Sequence, residues 1–345
     1  MVHLSPSYAR RAAHTASLYT FTKEDPVTKI LRIFPALTAT ALAAALTAPD
    51  SSQAETARQT FSVDSGDRLV VDTERGTIEI DTWDKSTVEI VVENADKLDI
   101  EFDQTDGTVS VHGHKKGSSI SKFFDWGLSK GPKFHITIPR VHDVDLKTSG
   151  GGITIDKLQG QVLARTSGGG LHFGHIDGPV KGRTSGGSIH LEGCTGSADV
   201  STSGGSIRIG DVNGNIEAKT SGGSIHIARA QGTVHAKTSG GSIKVDEVMG
   251  AIDAKTSGGS IHAQLSEQPQ GPCTLGTSGG NVEVSLAEDI SLDVDAKTSG
   301  GRVSTDFPVT VQGELNKTSL NAEINGGGPA MTLRTSGGSI RLSKM

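Results

Sequence analysis

Six residues that can carry positive charge recur at one interval of 18: His172, His190, Arg208, His226, Lys244 and His262. A second series, Lys147, Arg165, Arg183, Ser201, Lys219, Lys237 and Lys255, keeps the same interval. Stacked in successive coils, such residues form rows of like charge about 5 Å apart, which repel unless counter-charges or an anionic ligand lie beside them. Acids are close in sequence (Asp156, Glu192, Asp199, Glu217, Asp246 and Asp253), and between Lys147 and Leu265 there are 11 Lys or Arg against 9 Asp or Glu. That near balance describes a mixed, solvated face. The functional reading is a face for anionic glycans or envelope phosphates, with the histidines strengthening binding below about pH 6.5.

Other chemistries fit less well. His172 and His190 would be near enough to share a metal ion, but no acid or Cys joins them at a regular position, and Arg208 and Lys244 interrupt the row. No metal and no other cofactor is expected. Cys194 and Cys273 stand about four coils apart, too far for a disulfide, and read as lone small residues at turns. The acids Glu267, Glu288, Asp289, Asp293 and Asp295 occupy the longer spacings near the C-terminus without a base or nucleophile at recognisable distance. No catalytic residues are therefore assigned. The alternative is a polysaccharide-active enzyme of the β-helix type, with clustered carboxylates on long lateral loops. A Gly/Ser/Lys-rich loop between Gly113 and Lys133 carries Phe123, Phe124 and Trp126. These rings either fold back over an open end or form a tip that touches a partner or a membrane.

The elements that position these residues follow from one tetrapeptide. Thr-Ser-Gly-Gly begins at Thr148, Thr166, Thr184, Thr202, Thr220, Thr238 and Thr256 in strict register, then at Thr277, Thr298 and Thr335 with looser spacing. Such a period marks a repeat architecture, in which each unit buries its apolar side against its neighbours. Counting each Thr as zero, positions five and seven are apolar (Ile207 and Ile209, Ile225 and Ile227), with a polar residue between them. Positions fourteen and sixteen repeat the alternation with smaller residues, as in Ile216 and Ala218 or Val234 and Ala236. This period-two pattern reads as two short strands per 18 residues, each with one buried face. Glycines at positions three and twelve suggest two turns per coil, each needing positive φ or tight clearance. A left-handed hexapeptide helix would need an apolar residue six past position five, where the chain has Gln159, Asp177, Thr195, Asn213, Gln231 and Met249. The Thr itself falls in phase with the buried Ala two residues earlier and is expected to point inward. The fold expected is all-β, a right-handed parallel β-helix or β-solenoid with 18-residue coils and an irregular β N-terminal cap. The coils run from Thr148 onward, with a decayed copy near Thr318.

Residues 29–54 read as a secretory signal: Lys29 and Arg32, an uncharged apolar stretch from Ile33 to Ala48, and Ser52-Gln53-Ala54 as a cleavage site. Residues 1–28 precede it as an extension, and a start at Val27 would give a more compact signal. Residues 55–147 are strand-rich but irregular, and Arg75-Gly76-Thr77-Ile78-Glu79-Ile80 resembles a worn repeat. Residues 148–345 hold the repeats. With 45 Gly and 4% aromatics in 345 residues, the chain suits aliphatic ladders better than a rounded core. A net charge of −6 argues against a dominant nucleic-acid partner. The chain ends directly after a repeat strand with no obvious cap, which leaves end-to-end self-association open.

Several segments resemble the DUF4097, or adhesin-like, family of bacterial envelope proteins. They are Phe61-Ser62-Val63 with Leu69-Val70-Val71, Gly76-Thr77-Ile78-Glu79-Ile80-Asp81-Thr82-Trp83-Asp84, Ile136-Thr137-Ile138-Pro139, and the serial Thr-Ser-Gly-Gly-Ser-Ile units. The resemblance covers residues 60–345 and implies a β-solenoid, export and an adhesin-like or envelope role, with no catalytic residues to carry over. The expectation is an exported, non-enzymatic binding or structural protein, periplasmic or at the cell surface or secreted. Its expected partners are envelope glycans or anionic lipids, or another protein.

Overall fold

The computed structural model of the chain describes residues 55–116, 131–312 and 316–345. The expected signal segment and the rings of Phe123, Phe124 and Trp126 lie outside the described residues. Each 18-residue coil places one strand in each of two sheets. Strands that follow Thr-Ser-Gly-Gly, such as Ile207–Val212, Ile225–Ala230 and Ile243–Val248, pair in parallel with their counterparts one coil away. The shorter strands Ile216–Lys219, Val234–Lys237 and Ile252–Lys255 do the same in the second sheet. Among the described residues the first sheet has 14 strands and the second 15. The expected parallel β-solenoid is the observed architecture.

Alternation explains the core. Ile207, Ile209, Ile225 and Ile227 from the first sheet and Ile216, Ala218, Val234 and Ala236 from the second are all buried. Position ten adds a third apolar column: Leu158, Ile176, Cys194, Val212, Ala230 and Val248. Cys194 therefore sits in a core column at the end of its strand, and Cys273 opens the strand Cys273–Gly276, likewise buried. Neither is the turn residue expected from sequence. Both are free thiols.

The motif itself is a corner stitched from coil to coil. Thr220 Oγ1 donates to the Gly205 carbonyl of the preceding coil at 2.8 Å and accepts from the Gly223 N–H at 3.4 Å. Thr166, Thr184, Thr202, Thr238 and Thr256 donate in the same way at 2.7 Å. All are buried, as the phase predicted. The Ser that follows the two glycines forms a second ladder: Ser206 Oγ accepts from the Ser224 N–H at 3.2 Å, and Ser224 Oγ from the Ser242 N–H at 3.2 Å. Glycine at position three is required by clearance alone, since a Cβ on Gly223 would lie 2.1 Å from the Gly205 oxygen. At position twelve Gly178 has φ +154°, a conformation L side chains rarely adopt.

Both ends depart from chain order. The worn repeat does form a coil, from Arg68–Thr73 and Thr77–Trp83: Ile78 pairs with Ile153, and Thr148 Oγ1 donates to the Gly76 carbonyl at 2.8 Å. Outside it lies a coil built from later residues, Thr108–Lys115 and Lys133–Pro139. Antiparallel strands then close the end. Thr87–Glu93 and Ala57–Ser62 extend the first sheet, and Leu98–Thr105 the second. The loop placed at 113–133 is accordingly shorter, since strands run to Lys115 and from Lys133.

At the other end the final coil, Ala330–Thr335 with Ile340–Lys344, inserts between the Cys273–Gly276/Val282–Leu286 coil and the Leu292–Thr298/Val303–Thr305 coil. The decayed repeat expected near Thr318 does not form a coil of its own. Ser319–Ile324 pairs antiparallel with Leu292–Thr298 and carries Val309–Val311 at the edge. The uncapped last coil expected from sequence is thus an interior coil. The edges are blunted by length and charge. Val303–Thr305 is three residues long, and Leu98–Thr105 exposes Asp99, Glu101 and Asp103.

Candidate ligand-binding faces

The outer positions of the first sheet come together as the sequence series required. Thr154, His172, His190, Arg208, His226, Lys244 and His262 are consecutive register partners. The row ends on an acid at each side, Glu79 beside Thr154 and Glu283 beside His262. These two carboxylates were not singled out from sequence. Glu283 stands six after Thr277, so extending the count into the looser repeats would have found it.

Charge along the row is uneven. His226 Nε2 and Lys244 Nζ each reach Asp246 at 2.7 Å. Burial alone would raise the Asp246 carboxyl, but hydrogen bonds from Lys244 and His226, helped by their charges, hold it below the usual range. His262 Nδ1 lies 3.6 Å from Glu283. On the other side, the rings of His172 and His190 stack with centroids 4.9 Å apart and planes 14° from parallel. Burial pushes the His190 imidazole below its ordinary value; His172 and Arg208 push the same way, and Glu192 opposes them. Glu192 itself pairs with His175 at 3.1 Å. Arg208 has no ion pair among the described residues. The stretch His172–His190–Arg208 is therefore the part of the row whose charge the protein leaves least compensated. An anion placed there would relieve mutual repulsion and favour the protonated form of His190.

Lys147, Arg165, Arg183, Ser201, Lys219, Lys237 and Lys255 form the matching outer row of the second sheet. Most of its cations pair with carboxylates two positions away on the same face, as Arg183 does with Asp199 at 3.2 Å.

No group of three or more His, Cys, Asp or Glu among the described residues is placed to hold a metal ion. The C-terminal acids do not converge. Asp295 is held by Arg334, Glu288 faces Lys344 at 3.4 Å, and Asp293 accepts from the Gly328 N–H at 3.3 Å. No described helix is long and apolar enough to cross a membrane.

The family model Toastrack DUF4097 matches residues 66–343. Similar solved structures include a protein of Parabacteroides distasonis provisionally assigned as lipid-binding. It is 14% identical, with 84% of this chain and 96% of that one covered and a TM-score of 0.34. A provisionally assigned adhesin of Parabacteroides merdae is 10% identical, with 84% and 96% covered and a TM-score of 0.32. Another from Bacteroides fragilis is 12% identical, with 84% and 97% covered and a TM-score of 0.28. No curated protein matches the chain.

Proposed function

The chain belongs to the Toastrack DUF4097 family, and from that premise we propose that it is an exported, non-enzymatic, adhesin-like binding scaffold of the cell envelope. Its ligand face is the outer row of the first sheet. The observation that carries this reading is register: six cationic or imidazole side chains, one per coil, stand in an unbroken line along one sheet. A rigid line of donors at a spacing of about 4.8 Å suits an extended anionic partner. Export rests on the signal-like segment 29–54. A protonated imidazole attracts an anion where a neutral one does not, so binding strengthens as pH falls from 7.5 to 5.5. His190 gains its charge later than an unhindered histidine would, unless an anion is already bound.

The test is binding of the purified chain to a panel of anionic and neutral glycans and lipid vesicles at pH 5.5 and 7.5. Salt-sensitive binding to anionic members that tightens at pH 5.5 supports the reading. Binding to neutral members alone, or none at either pH, removes the row from the account. Release of new reducing ends from any glycan on the panel would favour the polysaccharide-active alternative.

A further inference from the structure

In the second sheet, Lys219, Lys237 and Lys255 are register partners in three successive coils. Between them and the Thr-Ser-Gly-Gly corner runs a groove of about 370 Å³, lined by these lysines, the Thr after each, Ser239 and Ser257. Elsewhere along this row the cations have carboxylate partners: Lys147 with Asp72 at 3.0 Å, Arg165 with Asp145 at 3.6 Å and Arg183 with Asp199 at 3.2 Å. Within the groove Glu217 holds Lys219, and Asp253 holds Lys255 at 2.8 Å. The coil between them carries His235 in register with Glu217 and Asp253, where a third acid would stand. Among the described residues Lys237 has no ion pair and no side-chain hydrogen bond, and a lysine stands in register with it on each side, on strands about 4.8 Å apart. Like charges so placed favour an anion between them.

The opposite wall supplies hydroxyls. Thr238 and Thr256 are committed inward, to the Gly223 and Gly241 carbonyls at 2.7 Å. The backbone N–H groups of Ser239 and Gly240 are used by the Ser221 carbonyl at 3.3 and 3.0 Å. Ser239 and Ser257 are exposed, and their hydroxyls make no hydrogen bond among the described residues. Two successive coils thus place a lysine and a serine on the groove, Lys237 with Ser239 and Lys255 with Ser257, while the coil before them adds Lys219 and Thr220. The lining contains no aromatic ring on which a nucleic-acid base could stack. Val141 and Met345 are the large apolar side chains exposed among the described residues, and neither lines the groove to enter a lipid surface.

We propose that this groove is a second binding line, for a linear acidic glycan bearing one carboxylate or sulfate per ring, with Lys237 as its centre. It rests on the reading of the chain as a binding scaffold but not on the histidine row. The test uses the full chain at pH 7.5 and a fluorescein-labelled linear hexagalacturonate, followed by anisotropy over a range of salt. The wild type should bind, and Lys237→Gln should weaken binding about threefold, the scale of one exposed charge contact. The triple variant Lys219→Gln/Lys237→Gln/Lys255→Gln should weaken it about tenfold or more and flatten the salt dependence. Lys237→Arg should retain most of the affinity, and Lys157→Gln, an exposed cation on the first sheet, should change nothing. Circular dichroism confirms that the variants fold. Hexamer binding that survives the triple variant overturns the groove and leaves the first-sheet row standing. Equal binding of monomeric galacturonate, or full displacement by phosphatidylglycerol vesicles, overturns the linear-glycan assignment. Absence of binding here and across the whole panel at both pH values overturns both lines.

Discussion

In Thr166-Ser167-Gly168-Gly169, replacing either glycine by alanine adds one methyl group, yet the two results should differ in sign. On Gly168 the new Cβ meets nothing closer than the Gly150 oxygen at 3.5 Å, an ordinary contact. On Gly169 it would lie 2.2 Å from the Gly151 oxygen and 2.3 Å from the carbonyl carbon. Neither glycine has positive φ, so clearance alone separates them. To accept the methyl at Gly169 the corner must open by roughly 1 Å in a stack spaced about 4.8 Å. That corner is tied by Thr184 Oγ1 to the Gly169 carbonyl at 2.7 Å and by the Gly168 N–H to the Ser149 carbonyl at 3.1 Å. Overpacking against backbone falls at the upper end of the usual range, so Gly169→Ala should cost about 3 kcal/mol. Gly168→Ala restricts only the unfolded chain and should stabilise by about 0.5 kcal/mol. At about 2 °C per kcal/mol for a chain of this size, the midpoint should fall by about 6 °C in the first case and rise by about 1 °C in the second. Scanning calorimetry of the two variants beside the wild type measures this. Equal shifts, or an unchanged Gly169→Ala, would refute the argument from clearance.

Thr220→Val keeps the shape of the side chain but leaves the Gly205 carbonyl without its 2.8 Å donor. It should cost about 1–3 kcal/mol in chemical denaturation, with Thr220→Ser recovering part of that. His142 is 1% exposed and neither ring nitrogen has a partner. Burial lowers its pKa from 6.5, against the charges of Asp67 and Asp143. The unfolded chain therefore binds more protons, so the stability that this site contributes is complete above about pH 6.5 and is lost as pH falls from there toward the lowered value. His142→Phe should flatten the decline of the melting midpoint between pH 7.5 and 5; an unchanged slope would contradict this. Burial also pushes the Cys194 thiol up to about 11 and raises that of Cys273. Both should resist a thiol reagent at pH 8 in the folded chain and react promptly in denaturant; fast labelling of the native chain would contradict their placement in core columns.

Much of the interior was legible because one residue type had to recur at one spacing. Thr220, Gly223, Ile225, Ile227, Ile216 and Ala218 each repeat a contact made one coil away, so their period displays their roles. The position-ten column was equally periodic. It falls one residue short of the position a hexapeptide pattern would fill, and it holds Cys194 in the core at the end of its strand. The ends were less legible. Nothing in the order Leu292–Thr298, Ser319–Ile324, Ala330–Thr335 says that the last of these will insert beside Cys273–Gly276, because strand pairing depends on which partner closes the sheet. The outer rows were readable as rows but not as electrostatics. That Asp246 serves both His226 and Lys244, while Lys237 and Arg208 have no such partner among the described residues, depends on side-chain reach across neighbouring coils.

The central claim is that the line from His172 to His262 is a working face and not a solvated one. The most direct measurement is the imidazole resonances of the chain at pH 5.5, recorded with and without linear polygalacturonate. The account predicts that the signals of His172, His190, His226 and His262 move together on titration, while that of the buried His142 stays in place. Row signals that stay still while the glycan binds elsewhere would contradict it.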